Sequence, residues 1–169
     1  MWTWRLTLGL MTAAIAATAI AASRYDSPEH DFSVAFPADP VVEGRRAAND
    51  DDSSYAIYDL QDNGVAFTVR VDRFPSSVPA PKPEQNTYEL TLRSHARESG
   101  GRLVSMTPAR LAGRAAMQGI FAGSNGVQQQ MRVVSVGRRV YQVSYTGPEG
   151  AASAATGAAF LESFRAVER

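Results

Sequence analysis

Alternation of apolar and polar residues is the feature that most constrains how this chain can fold. In the segments 32–36 and 65–71, Phe and Val occupy every second position, and small or polar residues lie between them. A period of two indicates strands that bury one face. Asn63-Gly64 and Asn125-Gly126 are strong signals for two-residue hairpin turns, and Gly137-Arg138 is a weaker one. Consecutive hairpins predict an antiparallel sheet.

One helix is predicted where the alternation first breaks. A proline-rich connector over 75–83 cannot donate the hydrogen bonds of a sheet, and it leads into a helix from about residue 84 to residue 99. We expect Asn86 to be its N-cap and Gly100-Gly101 to end it, because glycine accepts the left-handed conformation common after a helix. The apolar stripe of this helix comprises Tyr88, Leu92 and Ala96.

A second helix is predicted at the end of the chain. Over 151–167, apolar residues recur at helical spacing, and we expect Leu161 and Phe164 to anchor this helix across the sheet. Several strands are apolar on both faces, so the sheet needs cover on both sides. The sequence therefore predicts one α+β domain over 32–169, a central antiparallel β-sheet covered by helices on both faces in an α/β/α sandwich.

The first 22 residues have the three parts of a secretory signal. A basic start that includes Arg5 precedes an uncharged apolar run, and small residues predict cleavage after Ala21 or Ala22. The alternative is an uncleaved N-terminal membrane anchor, since about 17 apolar residues approach the length that spans a bilayer. Residues 23–31 are expected to be a linker. Either way, we expect the domain outside the cytoplasm, periplasmic or extracellular, with membrane contact only through an uncleaved N-terminal segment.

Composition excludes several classes of function. The chain has no cysteine, which rules out disulfides, thiolate zinc sites, a cysteine nucleophile and lipid attachment to an N-terminal cysteine. Its 17 basic residues balance 17 acidic ones, so it lacks the excess positive charge on which bulk nucleic-acid binding depends. We expect no nucleic-acid partner.

Three segments resemble a known group of exported domains. They are FSVAFPADP at 32–40, GRRVYQV at 137–143 and FLESFR at 160–165. They are similar to the PsbP-like group, which is named after an extrinsic photosystem II subunit. The resemblance implies a central antiparallel sheet between helices. The group includes accessory subunits and assembly factors. The resemblance implies no active-site motif, so no residue role is carried over.

The chain has few histidines that could act in catalysis or bind a metal. His30 and His95 are the two imidazoles of the chain, so a Ser-His-Asp triad or a two-histidine metal site has very few candidate residues. Glu29-His30-Asp31 puts three ligand types in sequence, but neighbours in an extended chain point to opposite sides, which favours a solvated linker. We expect His95 to lie on the first helix at the sheet boundary.

The remaining polar motifs also favour structural interpretations. The run Asp50-Asp51-Asp52 lacks the spacing, the glycine and the distal Glu of an EF-hand loop, which favours a solvated turn. Ser124 lies between glycines in a hairpin rather than in a nucleophile elbow. Nothing in the spacing of Asp59 and Asp72 forces them to converge as a hydrolase pair. We therefore predict no enzyme activity, no catalytic or metal-binding residues and no cofactor.

Strand register predicts a candidate contact patch. A two-residue turn at Asn125-Gly126 places Phe121 opposite Gln130 and Gly119 opposite Arg132, and the turn at Gly137-Arg138 places Arg132 opposite Val143. One face then carries Phe121, Gln130, Arg132, Tyr141, Val143 and Tyr145, and the drier opposite face, with Ile120, Met131, Val133 and Val140, is expected to be the main core face.

The mixed face suggests a site for protein contact. Aromatic residues and Arg are enriched at protein interfaces, so we take Arg132, Tyr145, Gln130 and Tyr141 as candidate contact residues, with Arg132 and Tyr145 partly exposed. The alternative is that they form the polar margin of a face that a helix covers. The sequence thus favours a non-enzymatic exported protein-interaction domain, an accessory or assembly subunit of an envelope or membrane complex. The alternative function is a periplasmic carrier of a small ligand or lipid, with a cavity between sheet and helix.

Overall fold

The computed structural model describes residues 23–46, 53–82, 84–150 and 155–167. The predicted signal segment 1–22 and the run Asp50-Asp51-Asp52 lie outside these residues. The strands are β1 (Ser23–Ser27), β2 (Phe32–Phe36), β3 (Val41–Arg46), β4 (Ser54–Asp62), β5 (Val65–Arg73), β6 (Arg102–Leu111), β7 (Arg114–Ala122), β8 (Val127–Val136), β9 (Arg139–Pro148) and β10 (Arg165–Ala166), and the helices are α1 (Gln85–Ser99) and α2 (Ala155–Ser163).

The described strands form two antiparallel sheets. The larger sheet has seven strands in the order β3-β4-β5-β9-β8-β7-β6, and the smaller has three in the order β1-β2-β10. The predicted antiparallel α+β architecture is therefore confirmed. The linker predicted over 23–31 is wrong for its first half, because Ser23–Ser27 pairs with β2 along its whole length.

Successive residues of the large sheet point to opposite faces, where they belong to two separate hydrophobic cores. On one face, which we call the α1 face, Tyr88 and Leu92 of α1 pack on Met117, Phe121, Met131, Val133 and Val140. On the opposite face, the α2 face, Phe160 and Leu161 join a larger cluster that includes Val69, Val134, Tyr141, Val143 and Tyr145. The prediction that Met131, Val133 and Val140 mark the main core face is therefore wrong.

The α2 face is covered by strands as well as by a helix. Phe32, Val34 and Phe36 of the small sheet are buried in the same cluster as Phe160 and Leu161 of α2. The predicted cover of the sheet by helices on both faces is therefore not confirmed. The small sheet buries apolar residues of the α2 face together with α2, which is nine residues long.

The length of each hairpin turn determines the register of the two strands that it joins. Asn63 and Gly64 have φ of 48° and 80°, and Asp62 pairs with Val65, so this is the predicted two-residue turn. The hairpin between β7 and β8 differs from the prediction, because Ser124–Gly126 forms a three-residue 3₁₀ loop in which Gly126 has φ of 70°. A three-residue loop that ends in a left-handed residue is a standard hairpin alternative.

The extra loop residue moves the register of β7 on β8 by one position. Phe121 pairs with Gln129 and Gly119 with Met131, rather than with Gln130 and Arg132 as predicted. A shift of one residue sends every side chain to the other face. Phe121 therefore lies on the α1 face, whereas the register of β8 on β9, with Arg132 opposite Val143, is the predicted one.

The helices match their predictions in part. Helix α1 begins at Gln85 with Glu84 as N-cap, so Asn86 is not the cap, and Gly100 ends it with φ of 68° as expected. Helix α2 ends at Ser163, earlier than predicted, and Phe164 follows it as a fully buried residue. Neither described helix is long and apolar enough to cross a membrane.

Candidate protein-contact surface

Two of the four predicted contact residues are buried. Tyr145 is 3% exposed and Tyr141 is fully buried, because both rings point into the core on the α2 face. The predicted exposure of Tyr145 is therefore wrong. The hydroxyl of Tyr141 donates a hydrogen bond to the backbone oxygen of His30 at 2.7 Å, and burial raises the pKa of Tyr141 to about 12. These tyrosines stabilise the fold and offer little surface to a partner.

Arg132 and Gln130 lie at the edge of the α2 face. The Arg132 side chain is 13% exposed; it donates to Oε1 of Glu162 on α2 at 2.5 Å and to Oε1 of Gln118 at 3.0 Å. Gln130 donates to the same Gln118 oxygen at 2.7 Å. This geometry matches the alternative interpretation, a polar margin beside a covering helix. A role for these two residues in partner binding stays a prediction.

Among the described residues, no helix packs over part of the α1 face. Helix α1 packs mainly on β6, β7 and β8, whereas β3, β4 and β5 extend beyond it on the same face. The residues of those strands that point to the α1 face are largely polar and partly exposed: Tyr55, Ile57, Asp59, Thr68, Arg70 and Asp72. We call this surface, with Gln142 of the neighbouring β9, the open half-face.

One ion pair, between Arg70 and Asp72, lies at the centre of the open half-face. Arg70 donates from Nε to both carboxylate oxygens of Asp72 and from Nη2 to Oδ1 at 2.8–3.0 Å, and Gln142 donates to Oδ2 at 3.0 Å. The guanidinium also lies 5.4 Å from the centre of the Tyr55 ring. The hydrogen bond to Asp72 raises the pKa of Arg70, so the guanidinium remains charged. It is therefore an ordered cation held against a neighbouring carboxylate.

Asp59 and Asp72 do not converge. Asp59 accepts a hydrogen bond from Thr68 at 2.7 Å, whereas Asp72 is held by Arg70 and Gln142. Each carboxylate thus has its own partners: Thr68 of β5 binds Asp59, whereas Asp72 is bound by Arg70 of β5 and Gln142 of β9. The arrangement gives no support to a shared acid–base pair.

A cleft of about 410 Å³ separates the open half-face from α1. Its sheet side is formed by Arg70, Asp72, Phe74, Val140 and Gln142, and its helix side by Thr87, Leu90, Thr91, Ser94, His95 and Glu98. Phe74 and Leu90 are exposed, so two large apolar side chains lie at a cleft whose other walls are mostly polar. This combination of exposed apolar and fixed polar groups suits contact with another protein.

His95 is positioned as a structural residue at this cleft. As predicted, it lies on α1 beside the sheet, where Nε2 is 2.6 Å from Oε1 of Gln129 and the ring packs edge-on against Phe121. Gln129 in turn donates to Ser144 at 3.3 Å. The nearby groups are amides and hydroxyls, and among the described residues no cluster of three metal-ligating side chains occurs.

The segment Glu29-His30-Asp31 is not a solvated linker as predicted. Nδ1 of His30 is 2.6 Å from the Tyr58 hydroxyl, and Asp31 forms a 2.8 Å ion pair with Arg139. The Asp31 side chain is 6% exposed, and its backbone oxygen accepts a hydrogen bond from Val167. The partners lie on β4, β9 and the C-terminal segment, so local sequence gives no signal for this network. It fastens the turn between β1 and β2 to the large sheet.

Comparison with known proteins identifies the fold. The solution structure of cyanobacterial PsbP (CyanoP) from Synechocystis sp. PCC 6803 matches with a TM-score of 0.60 and 12% identity, over 94% of this chain and 100% of that one. A crystal structure of a protein from Bacteroides thetaiotaomicron matches 88% of this chain with a TM-score of 0.49 and 14% identity, and this chain spans half of that protein. No family model and no curated protein matches the sequence. The PsbP-like resemblance is thus confirmed at the level of the fold.

Proposed function

We propose that this chain is an exported, non-enzymatic accessory domain that binds another protein through the open half-face and the adjoining cleft. The observation that carries the proposal is that the described residues cover the α1 face incompletely, since α1 packs mainly on β6 to β8 and leaves the partly exposed side chains of β4 and β5 beside it. The PsbP-like fold supports an accessory role by analogy only.

The side chains of this surface support protein contact in two ways. Arg70 is already held by Asp72, which also accepts a hydrogen bond from Gln142, so binding of a partner would cost little side-chain entropy at this guanidinium. Leu90 is 62% exposed at the cleft and provides an apolar anchor.

The test compares copurification with variants of matched exposure. Tagged protein would be isolated from the envelope fraction of its own host, as wild type and with Leu90→Ala or Arg70→Ala, and the bound proteins identified. Val104→Ala and Arg102→Ala, exposed on β6, serve as controls. We expect the two cleft variants to lose most of the bound partner with unchanged melting temperature and the controls to retain it. Full retention of the partner by both cleft variants would place the contact elsewhere. Failure of the wild type to copurify any specific partner would overturn the proposed function.

A small polar ligand is the second candidate, because the cleft volume of about 410 Å³ falls within the range of small-molecule sites. The charged groups of Arg70, Asp72 and Glu98 line it, which disfavours a lipid as the cargo of the predicted carrier. Thermal-shift screening with polar metabolites tests this candidate. A ligand that stabilises wild type but not Arg70→Ala would favour it over protein binding.

A further inference from the structure

The two outer strands of the large sheet differ in how they present their backbone. Within the part of the chain that the structure describes, strand β3 pairs with β4 on one side and is the end of the sheet on the other, and β6 is the opposite end. A free strand edge carries unpaired N–H and C=O groups that can accept another strand, and natural proteins block such edges with proline, bulges or charge.

Strand β6 carries two of these blocking features. Pro108 lies within the strand, and the register shifts at a bulge between Leu103 and Ser105. Proline removes a hydrogen-bond donor, and a bulge bends the strand away from a partner. This edge is unsuited to strand addition.

Strand β3 has neither a proline nor a bulge, and its charged residues, Glu43, Arg45 and Arg46, are of both signs rather than one. Its register on β4 is continuous over six residues, and proline is absent from the strand. Val41 and Val42 are 68% and 51% exposed, and Glu43 and Gly44 are exposed as well. Exposed β-branched residues on a regular edge strand are favourable for pairing with a further strand.

The sequence of β3 is complementary to itself when read in the antiparallel direction. If Gly44 lies on a twofold axis opposite Gly44 of a second copy, Glu43 faces position 45 of that copy, which is Arg, and Val42 faces position 46. The axis repeats the pairing, so the dimer contains two facing positions of opposite charge. Opposite charges directly across an antiparallel pair stabilise it, whereas like charges destabilise it.

We propose that β3 pairs with β3 of a second copy of this chain, with Gly44 at the twofold axis, and joins two seven-stranded sheets into one. The pairing continues each open half-face into that of the other copy. One strand per copy buries less area than a typical stable dimer does, so the association is weak and reversible. The inference is independent of the partner and ligand considered above.

A charge-exchange experiment tests both the position of the interface and whether the strand that pairs with β3 belongs to a second copy of this chain. Glu43→Arg carries Arg at positions 43 and 45, and Arg45→Glu carries Glu at both. Sedimentation velocity from roughly 10 μM to 1 mM is expected to show a reversible wild-type dimer and about tenfold weaker self-association of each variant. An equimolar mixture of the two variants should recover the wild-type dissociation constant as a heterodimer. Val104→Lys, on β6, should leave the wild-type dissociation constant unchanged.

A disulfide experiment tests the register without changing charge. The chain has no cysteine, so Gly44→Cys introduces a single thiol. Facing Cα atoms in an antiparallel pair lie about 4.5–5.5 Å apart, which is within disulfide range. We expect oxidation to give a covalent dimer from Gly44→Cys and much less from Thr107→Cys, which is exposed on β6.

Three results would overturn the proposal. The first is a monomeric wild type across the whole concentration range. The second is a wild-type dimer that both charge variants leave unchanged, since it would use another surface. The third is a mixture of the charge variants that associates no better than each alone, together with equal cross-linking of Gly44→Cys and Thr107→Cys.

Discussion

A Cβ atom added to Gly157 would lie 2.5 Å from Cδ1 of the Tyr145 ring, so α2 approaches β9 at a position where only glycine fits. Gly157→Ala should therefore lower the free energy of unfolding by about 1–3 kcal/mol, although alanine is the better helix former. Urea denaturation measures the change.

The proposed cause of this loss can be checked with a second substitution. Tyr145→Val removes the ring atoms that the new methyl group would meet, so Gly157→Ala should cost less in that background. Thr156→Ala, at an exposed position of the same helix, is the control and should be neutral or slightly stabilising. Equal losses with and without the Tyr145 ring would show that the contact does not limit the site.

Phe164 is expected to be among the most sensitive positions of the chain. Its ring is fully buried just beyond α2, stacked on Phe32 at 5.8 Å and tilted against Tyr141 at 5.4 Å. Phe164→Ala should cost about 3–5 kcal/mol, which is a large part of the stability of a typical domain. Val167→Ala, at an exposed position three residues later, should change the urea midpoint little. Similar midpoints for both variants would show that the C-terminal segment is peripheral.

Local signals were readable from the sequence, whereas distant partners were not. The turn at Asn63-Gly64 and the end of α1 at Gly100 depend on residues next to one another, and both were predicted correctly. The loop at 124–126 differs by one residue from the prediction, and this moved Phe121 to the other face.

The same limit applies to the candidate site. The open half-face depends on where α1 lies across the sheet, which the stripe of Tyr88 and Leu92 does not specify. The ion pair of Asp31 with Arg139 joins a turn to a strand far along the chain, so neither residue could be assigned its partner from spacing. Strand types are therefore more predictable than the surfaces that their packing leaves open.

The Asp31–Arg139 ion pair predicts a strong and specific sensitivity. The Asp31 and Arg139 side chains are 6% and 19% exposed, so removal of the carboxylate leaves a largely buried guanidinium. Asp31→Asn should cost about 2–3 kcal/mol. Asp31 has φ of 52°, which Asn also tolerates, so the substitution removes the charge without straining the backbone. Asp26→Asn, which breaks an exposed pair with Arg24, should cost under about 1 kcal/mol. Equal effects in thermal unfolding would contradict a special role for Asp31.

Processing of the N-terminus is a separate prediction. Small residues before Ser23 and polar residues after it predict a mature protein that begins at Ala22 or Ser23. N-terminal sequencing of protein from the native host measures this directly. Recovery of an intact Met1 in the membrane fraction would favour the uncleaved anchor.

His30 predicts that stability falls at mildly acidic pH. Burial is the largest effect on this ring and lowers its pKa from 6.5, because it disfavours the charged form. The hydroxyl of Tyr58 at 2.6 Å from Nδ1 also suits a neutral ring that accepts this hydrogen bond. Neighbouring charges act in both directions: Glu29 and Asp31 raise the pKa, whereas Arg139 and Arg73 lower it. The net direction is downward.

A histidine with a lower pKa in the folded state binds its proton more readily when the chain unfolds. The contribution of His30 to stability is therefore complete above pH 6.5 and is lost progressively as the pH falls below 6.5 toward the folded-state pKa. Unfolding free energies measured from about pH 8 to pH 5 should decline more steeply for wild type than for His30→Gln, which retains a polar group but does not titrate. His95→Gln is the matched control, because His95 is the other histidine of the chain. Parallel pH profiles for wild type and His30→Gln would show that the buried ring is not the source of the acid sensitivity.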